Sequence, residues 1–373
     1  MNRLIIIGNG FDMAHGLKTS YKDFINWYMN QRVQKLADEP TTESADALCS
    51  YTIDRDVSSY YTSWEELIDY KSLKTKNWEN FVNQYSQYFT FKKSPFLETI
   101  LQSIDTKGWV DIENDYYQLL TRNIEDPRCD YTIEELNEQL ALLQQKLIEY
   151  LNAISIDKEK QNILDNIIEF FDPADFAIGS KKKAMDYLGL DINISSIKEI
   201  HDPKVKIDKL IPQRIMLLSF NYTQTARLYA FDNRFECNYI HGQLEDPEHI
   251  IFGYGDELDK NFQHILDMND DRYLKNIKSI RYLETGHYHK LQEFLMTAPF
   301  QVFIMGHSCG NSDRTLLNTI FEHENCISIK PFYHVEENGK DNYIELSQNL
   351  ARNFTDMKSY HDRVVTKERC ISF

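Results

Sequence analysis

The residues best suited to chemistry sit in four short motifs, each following an apolar run. Gly8, Asn9, Gly10, Phe11 and Asp12 follow the run 3–7. Glycines at such a turn let the backbone approach a pyrophosphate, and the start of the following helix favours anions. The usual dinucleotide fingerprint wants a third glycine at position 13, where this chain has Met13. An ordinary tight turn is the other reading. Asn221 ends the run 215–220; its amide can bond a ribose hydroxyl, hold a water or cap a helix. His241 ends the run 237–240 and precedes Gly242. An imidazole there serves as a general base at neutral pH, or as a satisfied structural histidine. Gly306, His307 and Ser308 follow the run 301–305. Their amides and the Ser308 hydroxyl can hold phosphate oxygens or cap the next helix.

Residues 306–310 also spell G-x-S-x-G. A serine hydrolase would need an acid and then a histidine later in the chain, and Asp313, His323, His334 and His361 are available. Such a fold would place more of its strands before the nucleophile, so this reading is minor. Asp111, Glu113 and Asp115 read as a polar helix face rather than a metal cluster, and no metal is expected.

These motifs must be positioned by a chain of 373 residues, about two domains in length. Hydrophobic residues make up 42% and charged residues 27%, which excludes global disorder. A net charge of −17 disfavours nucleic acid as a partner. The six cysteines form no C-x-x-C pair and are too scattered for a disulfide framework, which fits a reducing cytosol. The run 4–7 is too short for a signal peptide, and no apolar run is long enough for a membrane span. A cytoplasmic location is the expectation.

The run 3–7 reads as a buried parallel strand. Tyr21, Phe24, Ile25 and Tyr28 then mark one helix face, with Ser20 and Asp23 as a capping pair. Residues 31–203 are poor in glycine and carry helical spacing, clearest at Leu136, Leu140, Leu143 and Leu147 behind a Thr132/Glu135 capping box. That stretch reads as a helical bundle, and Lys181, Lys182 and Lys183 as a solvated loop. Strands return at 215–220, 237–240, 250–252, 301–305, 327–335 and 363–373, with a helix near 313–321. The expected fold is α/β: a Rossmann-type parallel sheet, residues 1–30 and 204–373, interrupted by a large α-helical insertion, 31–203. In open parallel sheets ligands bind beyond the carboxyl ends of the strands, where the four motifs can converge.

Taken together, LIIIGNGFDMAHGLKTSYKDF, SFNYTQTARLY, YIHGQL with IIFGYG, and VFIMGHSCGNSDR resemble the bacteriophage abortive-infection AbiH family, as does WVDIENDYY in the insertion. That pattern in turn resembles a divergent sirtuin-like NAD-binding domain. Residues 8–12 match the sirtuin GAGIS turn, and Asp23 with Phe24 falls where sirtuins carry a DF pair. Asn221 matches the asparagine of TQN, His241 with Gly242 the catalytic HG, and residues 306–308 the later GTS. Asp12 replaces the sirtuin serine, Phe220 replaces the glutamine, and the four zinc cysteines have no counterpart.

The resemblance implies NAD as substrate, cleaved to nicotinamide and ADP-ribose with water as acceptor, rather than protein deacylation. It assigns Asn221 and His241 to catalysis, and Gly8 to Asp12, Asp23 and Gly306 to Ser308 to NAD binding. A nucleotide-binding sensor of infection without turnover is the rival. Beyond NAD, the implied partners are a phage-derived trigger and a second copy of the chain, with the insertion as lid, sensor or oligomerisation surface.

Overall fold

The computed structural model describes residues 1–38, 41–68, 77–108, 110–126, 128–156, 170–200, 207–336 and 338–372. The chain divides into two compact units. The first comprises Met1–Lys18, Ile154–Met268 and Asn276–Phe373; the second comprises Thr19–Ala153 and Asn269–Lys275. The division thus follows Lys18 and Ala153, where the sequence suggested 30 and 203. The expected 203/204 boundary lies outside the described residues.

The first unit is built on five parallel strands: β1 (Asn2–Ile7), β5 (Ile215–Ser219), β6 (Phe235–Tyr239), β7 (Phe300–Met305) and β8 (Cys326–Phe332). Their order is β6-β5-β1-β7-β8. β1 lies between β5 and β7, pairing Ile5 with Leu217 on one side and Phe303 on the other. Such a strand is covered on both faces, which is why its sequence is an unbroken apolar run. Leu4, Ile6, Val302 and Ile304 pack on one face with Phe294, Leu317 and Leu350. Ile5, Ile7, Phe303 and Met305 pack on the other with Phe11 and Tyr229. Pro331, which has no N–H to give, sits in the edge strand β8. The chain steps outward from β1 to β5 and β6, then crosses back to β7 and β8. Strand order therefore reverses between β1 and β7, the position where open sheets place their ligands.

Two expected strands do not form. Residues 250–252 are irregular, because Ile251 N–H is taken by the His241 carbonyl (2.9 Å) and not by a neighbouring strand. Of the expected strand 363–373, the described residues 363–372 make only single bridges, Val364 to Ile329 and Ser372 to Tyr333, around a short 3-10 turn. Lys181, Lys182 and Lys183 open the Lys181–Leu188 helix rather than lying in a loop.

The second unit is not purely helical. Strands β2 (Glu43–Ala45), β3 (Cys49–Ile53) and β4 (Phe89–Lys93) form an antiparallel sheet in the order β2-β3-β4. β3 alternates buried and half-buried residues, the period of a strand with one covered face. Its Tyr51 stacks on Phe91 at 4.4 Å. The helices follow their spacing. Ile133–Asn152 starts with the full Thr132/Glu135 capping box, and Ile112–Glu125 with Asp111 accepting from Asn114 N–H. Asp111, Glu113 and Asp115 are not a uniform solvated face: Glu113 and Asp115 are buried. Trp109 of the same motif lies outside the described residues. Among the described residues no helix is long and apolar enough to cross a membrane.

Candidate functional site

The turns that follow β1 and β7 interlock at the strand-order reversal. Gly10 N–H donates to the Gly306 carbonyl (2.8 Å), and Gly8 N–H to the Met305 carbonyl (3.1 Å). Gly306 has φ +69°, and a Cβ there would stand 2.0 Å from Phe11 N. A Cβ on Gly10 would stand 2.8 Å from Gly306 Cα. Glycine is required here for the contact of one backbone with another. Asn9 is exposed, with Nδ2 3.7 Å from Met13 Sδ. Phe11 is fully buried against His15 and Tyr229, a core residue.

Asn221, just beyond β5, donates from Nδ2 to the Gly8 carbonyl at 3.0 Å. This bond ties the end of β5 to the turn after β1. Asp12 is buried beside it, and Oδ2 accepts from the Thr223 hydroxyl at 2.6 Å. Asp12 Oδ1 is buried with no hydrogen-bond partner. Burial raises the Asp12 carboxyl above the ordinary range, and the Thr223 hydroxyl partly opposes this.

His241 lies beyond β6 with its side chain only 4% exposed. Gly242 beside it has φ +85°, and a Cβ there would stand 2.5 Å from the His249 carbonyl oxygen. Its glycine therefore serves the turn rather than making room for the ring. His241 Nε2 is 3.2 Å from Asp313 Oδ1 and 3.1 Å from the Tyr282 hydroxyl. The ring lies parallel to Tyr282 and edge-on to Phe220. Burial lowers its pKa to about 4, with the Lys278 ammonium adding to the effect and Asp313 opposing it. The ring is therefore neutral at pH 7.

Asp313 lies in a 3-10 turn after the 306–310 segment. The fully buried Lys278 donates from Nζ to Asp313 Oδ1 at 2.8 Å. Asp313 Oδ2 stands 3.6 Å from His307 Nε2. Burial alone would raise the Asp313 carboxyl, but Lys278 and His241 more than offset it and hold it well below the usual range. Cys309 N–H donates to His307 Nδ1 at 2.9 Å, so a neutral His307 carries its proton on Nε2, toward Asp313. Phe220 also meets His307, with ring centroids 4.2 Å apart.

Contacts thus link Gly8, Gly10, Asp12, Asn221, Gly306 and His307 directly, and Phe220 and Asp313 join His241 to His307. Ser308 is exposed, and its carbonyl accepts from Asn349 Nδ2. The carboxylate a serine triad would need faces His241 and His307, and both precede Ser308, so the required chain order is not met. Besides Gly306, the residue with left-handed backbone in this segment is Cys309 (φ 54°), not Ser308. Cys309 is fully buried, and burial pushes its thiol up, away from reactivity. Asp23 belongs to the second unit, where its carboxylate accepts from the Ser20 hydroxyl at 2.6 Å.

Asp313 and Lys278 are the site residues that motif reading missed. Asp313 had surfaced only as a spare triad acid, and nothing local distinguishes Lys278 from a surface lysine. Among the described residues no group of three or more His, Cys, Asp or Glu is placed to hold a metal ion. A cavity of about 370 Å³ lies instead by the amino end of β1, lined by Met1, Tyr187, Asp208, Lys209 and Gln213. It contains none of the motif residues.

No curated protein and no solved structure matches the chain. The model of one family does match, over residues 4–334, and so takes in most of β1, the second unit and every motif of the site. The chain belongs to the bacteriophage abortive infection AbiH family.

Proposed function

We propose that the protein acts in abortive infection by binding NAD at the carboxyl ends of β1, β5, β6 and β7 and hydrolysing it to nicotinamide and ADP-ribose. The observation that carries this reading is His241, a neutral imidazole at a strand end with an anionic carboxylate on one nitrogen. Such a ring takes a proton from water. The bond from the ribose C1′ to the nicotinamide nitrogen breaks, and its electron pair leaves with neutral nicotinamide. The water oxygen bonds to C1′, and His241 accepts the water proton and releases it to solvent. Positive charge gathers on the sugar as that bond lengthens, and a fixed carboxylate nearby stabilises it. Asp12 is the candidate for this role. Asn221 commits Nδ2 to Gly8 and keeps Oδ1 as an acceptor for a ribose hydroxyl.

The sirtuin-like assignment of the sheet is part of the same proposal. Its support is the strand order, with reversal between β1 and β7, and the ordered placement of the four motifs after β1, β5, β6 and β7. The rival sensor reading has an observation of its own. Gly8 and Gly10 N–H groups are both committed to backbone carbonyls, and the His241 side chain is 4% exposed. A site so closed favours binding without turnover. Incubating the purified protein with NAD, with and without phage-infected extract, separates the two. Equal amounts of nicotinamide and ADP-ribose support hydrolysis; saturable NAD binding with neither product supports the sensor.

A further inference from the structure

Asp313 is held by more groups than a lone structural carboxylate needs. Lys278 and His241 both face Oδ1, at 2.8 and 3.2 Å, and His307 faces Oδ2 at 3.6 Å. The side chains of all four residues are at least nine-tenths buried. Burying a lysine and a carboxylate together costs several kcal/mol of desolvation per ion, and replacing such pairs with apolar residues is often neutral or stabilising. Stability alone is therefore a weak account of the pair. The His241 ring offers a better one. A carboxylate 3.2 Å from an unprotonated ring nitrogen would set lone pair against lone pair, so Nε2 carries the proton, with the Tyr282 hydroxyl at 3.1 Å as its hydrogen-bond acceptor. Among the described residues His241 Nδ1 has no hydrogen-bond partner.

We infer that Asp313 is a positioning residue: with Lys278 keeping it anionic, it fixes His241 as the Nε2–H tautomer and leaves Nδ1 as the one basic nitrogen. The groups facing the ring are Asp313, Lys278, His307 and the Tyr282 hydroxyl. Lys278 supplies the counter-charge, so Asp313 stays ionised without taking the proton from His241. Asp313 accepts from Lys278 throughout and itself gains no proton. His307, its own Nδ1 occupied by Cys309 N–H, turns Nε2 toward Asp313 Oδ2 from the far side, at 3.6 Å. Without these partners the imidazole would be free to place its proton on either nitrogen, and only one tautomer presents a lone pair at Nδ1.

The inference rests on the hydrolase reading only in its kinetic consequence, so the test has two arms. In the first, full-length protein labelled with 15N-histidine is examined by long-range 1H–15N NMR, with His241 assigned by its loss in His241→Gln. Wild type is expected to show a protonated Nε2 and an unprotonated Nδ1 at pH 7. Asp313→Asn leaves the Lys278 charge buried and unpaired and is liable to misfold, so Asp313→Asn/Lys278→Met is made alongside it. In whichever variant folds, His241 is expected to shift toward the Nδ1–H form or a mixture. A wild-type His241 protonated on Nδ1, or a tautomer unchanged in the folded variant, overturns the inference. In the second arm, kcat for NAD hydrolysis is expected to fall by roughly 10²–10⁴-fold, as when a base loses its orienting carboxylate, with KM little changed. An unchanged kcat in a folded variant also overturns it. If wild type shows the expected tautomer and yet releases no nicotinamide, the hydrolase reading fails and the positioning inference stands.

Discussion

Removing the His241 ring would separate its chemistry from its packing. His241→Ala empties a fully enclosed position between Phe220 and Tyr282, and such truncations cost about 2–4 kcal/mol. His241→Gln retains bulk and a donor toward Asp313, so it is the cleaner variant. It should lower NAD hydrolysis by roughly 10²–10⁴-fold with a much smaller fall in melting temperature. Asn221→Ala breaks the bond to Gly8 O, worth about 1 kcal/mol, and should cost about 10²-fold in rate through lost orientation. The pH response has a definite sign. Folded His241 protonates near pH 4 and the unfolded residue near 6.5, so between those values the unfolded chain binds more protons. Stability contributed by the buried neutral ring is therefore present above pH 6.5 and lost on acidification, by up to roughly 3 kcal/mol. Asp313, held low, adds a loss in the same direction at still lower pH, while Asp12, raised by burial, acts in the opposite sense. Melting temperatures from pH 7 to 4 should fall more steeply for wild type than for His241→Gln; parallel curves would contradict the burial argument.

At the scale of elements, the interlocked turns after β1 and β7 hold the switch point together. Gly306→Ala forces a side chain into a left-handed turn and onto Phe11 N, and should destabilise by more than about 2 kcal/mol. Gly286→Ala meets open space at an ordinary φ of −80° and should stay within about 0.5 kcal/mol. Equal melting shifts in the two variants would refute the packing account. A bulky residue at Gly10 is a poor probe of ligand approach for the same reason, since it meets the Gly306 backbone first. The central strands were legible because β1, β5 and β7 are buried on both faces and their sequences are continuously apolar. The Thr132/Glu135 box was legible because capping is a local rule. β3 was missed in a glycine-poor stretch read for helical spacing, although Cys49, Tyr51 and Ile53 alternate with Ser50 and Thr52. Residues 250–252 looked like a strand, yet strand formation needs a partner edge, and composition does not reveal whether one is free.

Across the whole molecule, the site draws on segments more than 300 residues apart in sequence, from Gly8 to Asp313. The ends of the strands could be anticipated because each closes on a polar motif. The Lys278–Asp313–His241 arrangement could not, because burial of a lysine is a property of the folded chain and leaves no local mark in sequence. Asp23 shows the converse: its motif match is local, and its carboxylate is engaged locally by Ser20 within the second unit. The acidic balance of 41 cations against 58 anions bears on solubility and partners and says little about the site. The central claim is that His241, set by its buried carboxylate, makes this AbiH chain an NAD hydrolase. It is tested most directly by nicotinamide release from purified wild type and His241→Gln, each with and without phage-infected extract. The account predicts release by wild type in at least one condition and a loss of at least about 100-fold in the variant. Wild type that binds NAD and releases no nicotinamide in either condition, or a variant that turns over as fast as wild type, would contradict it.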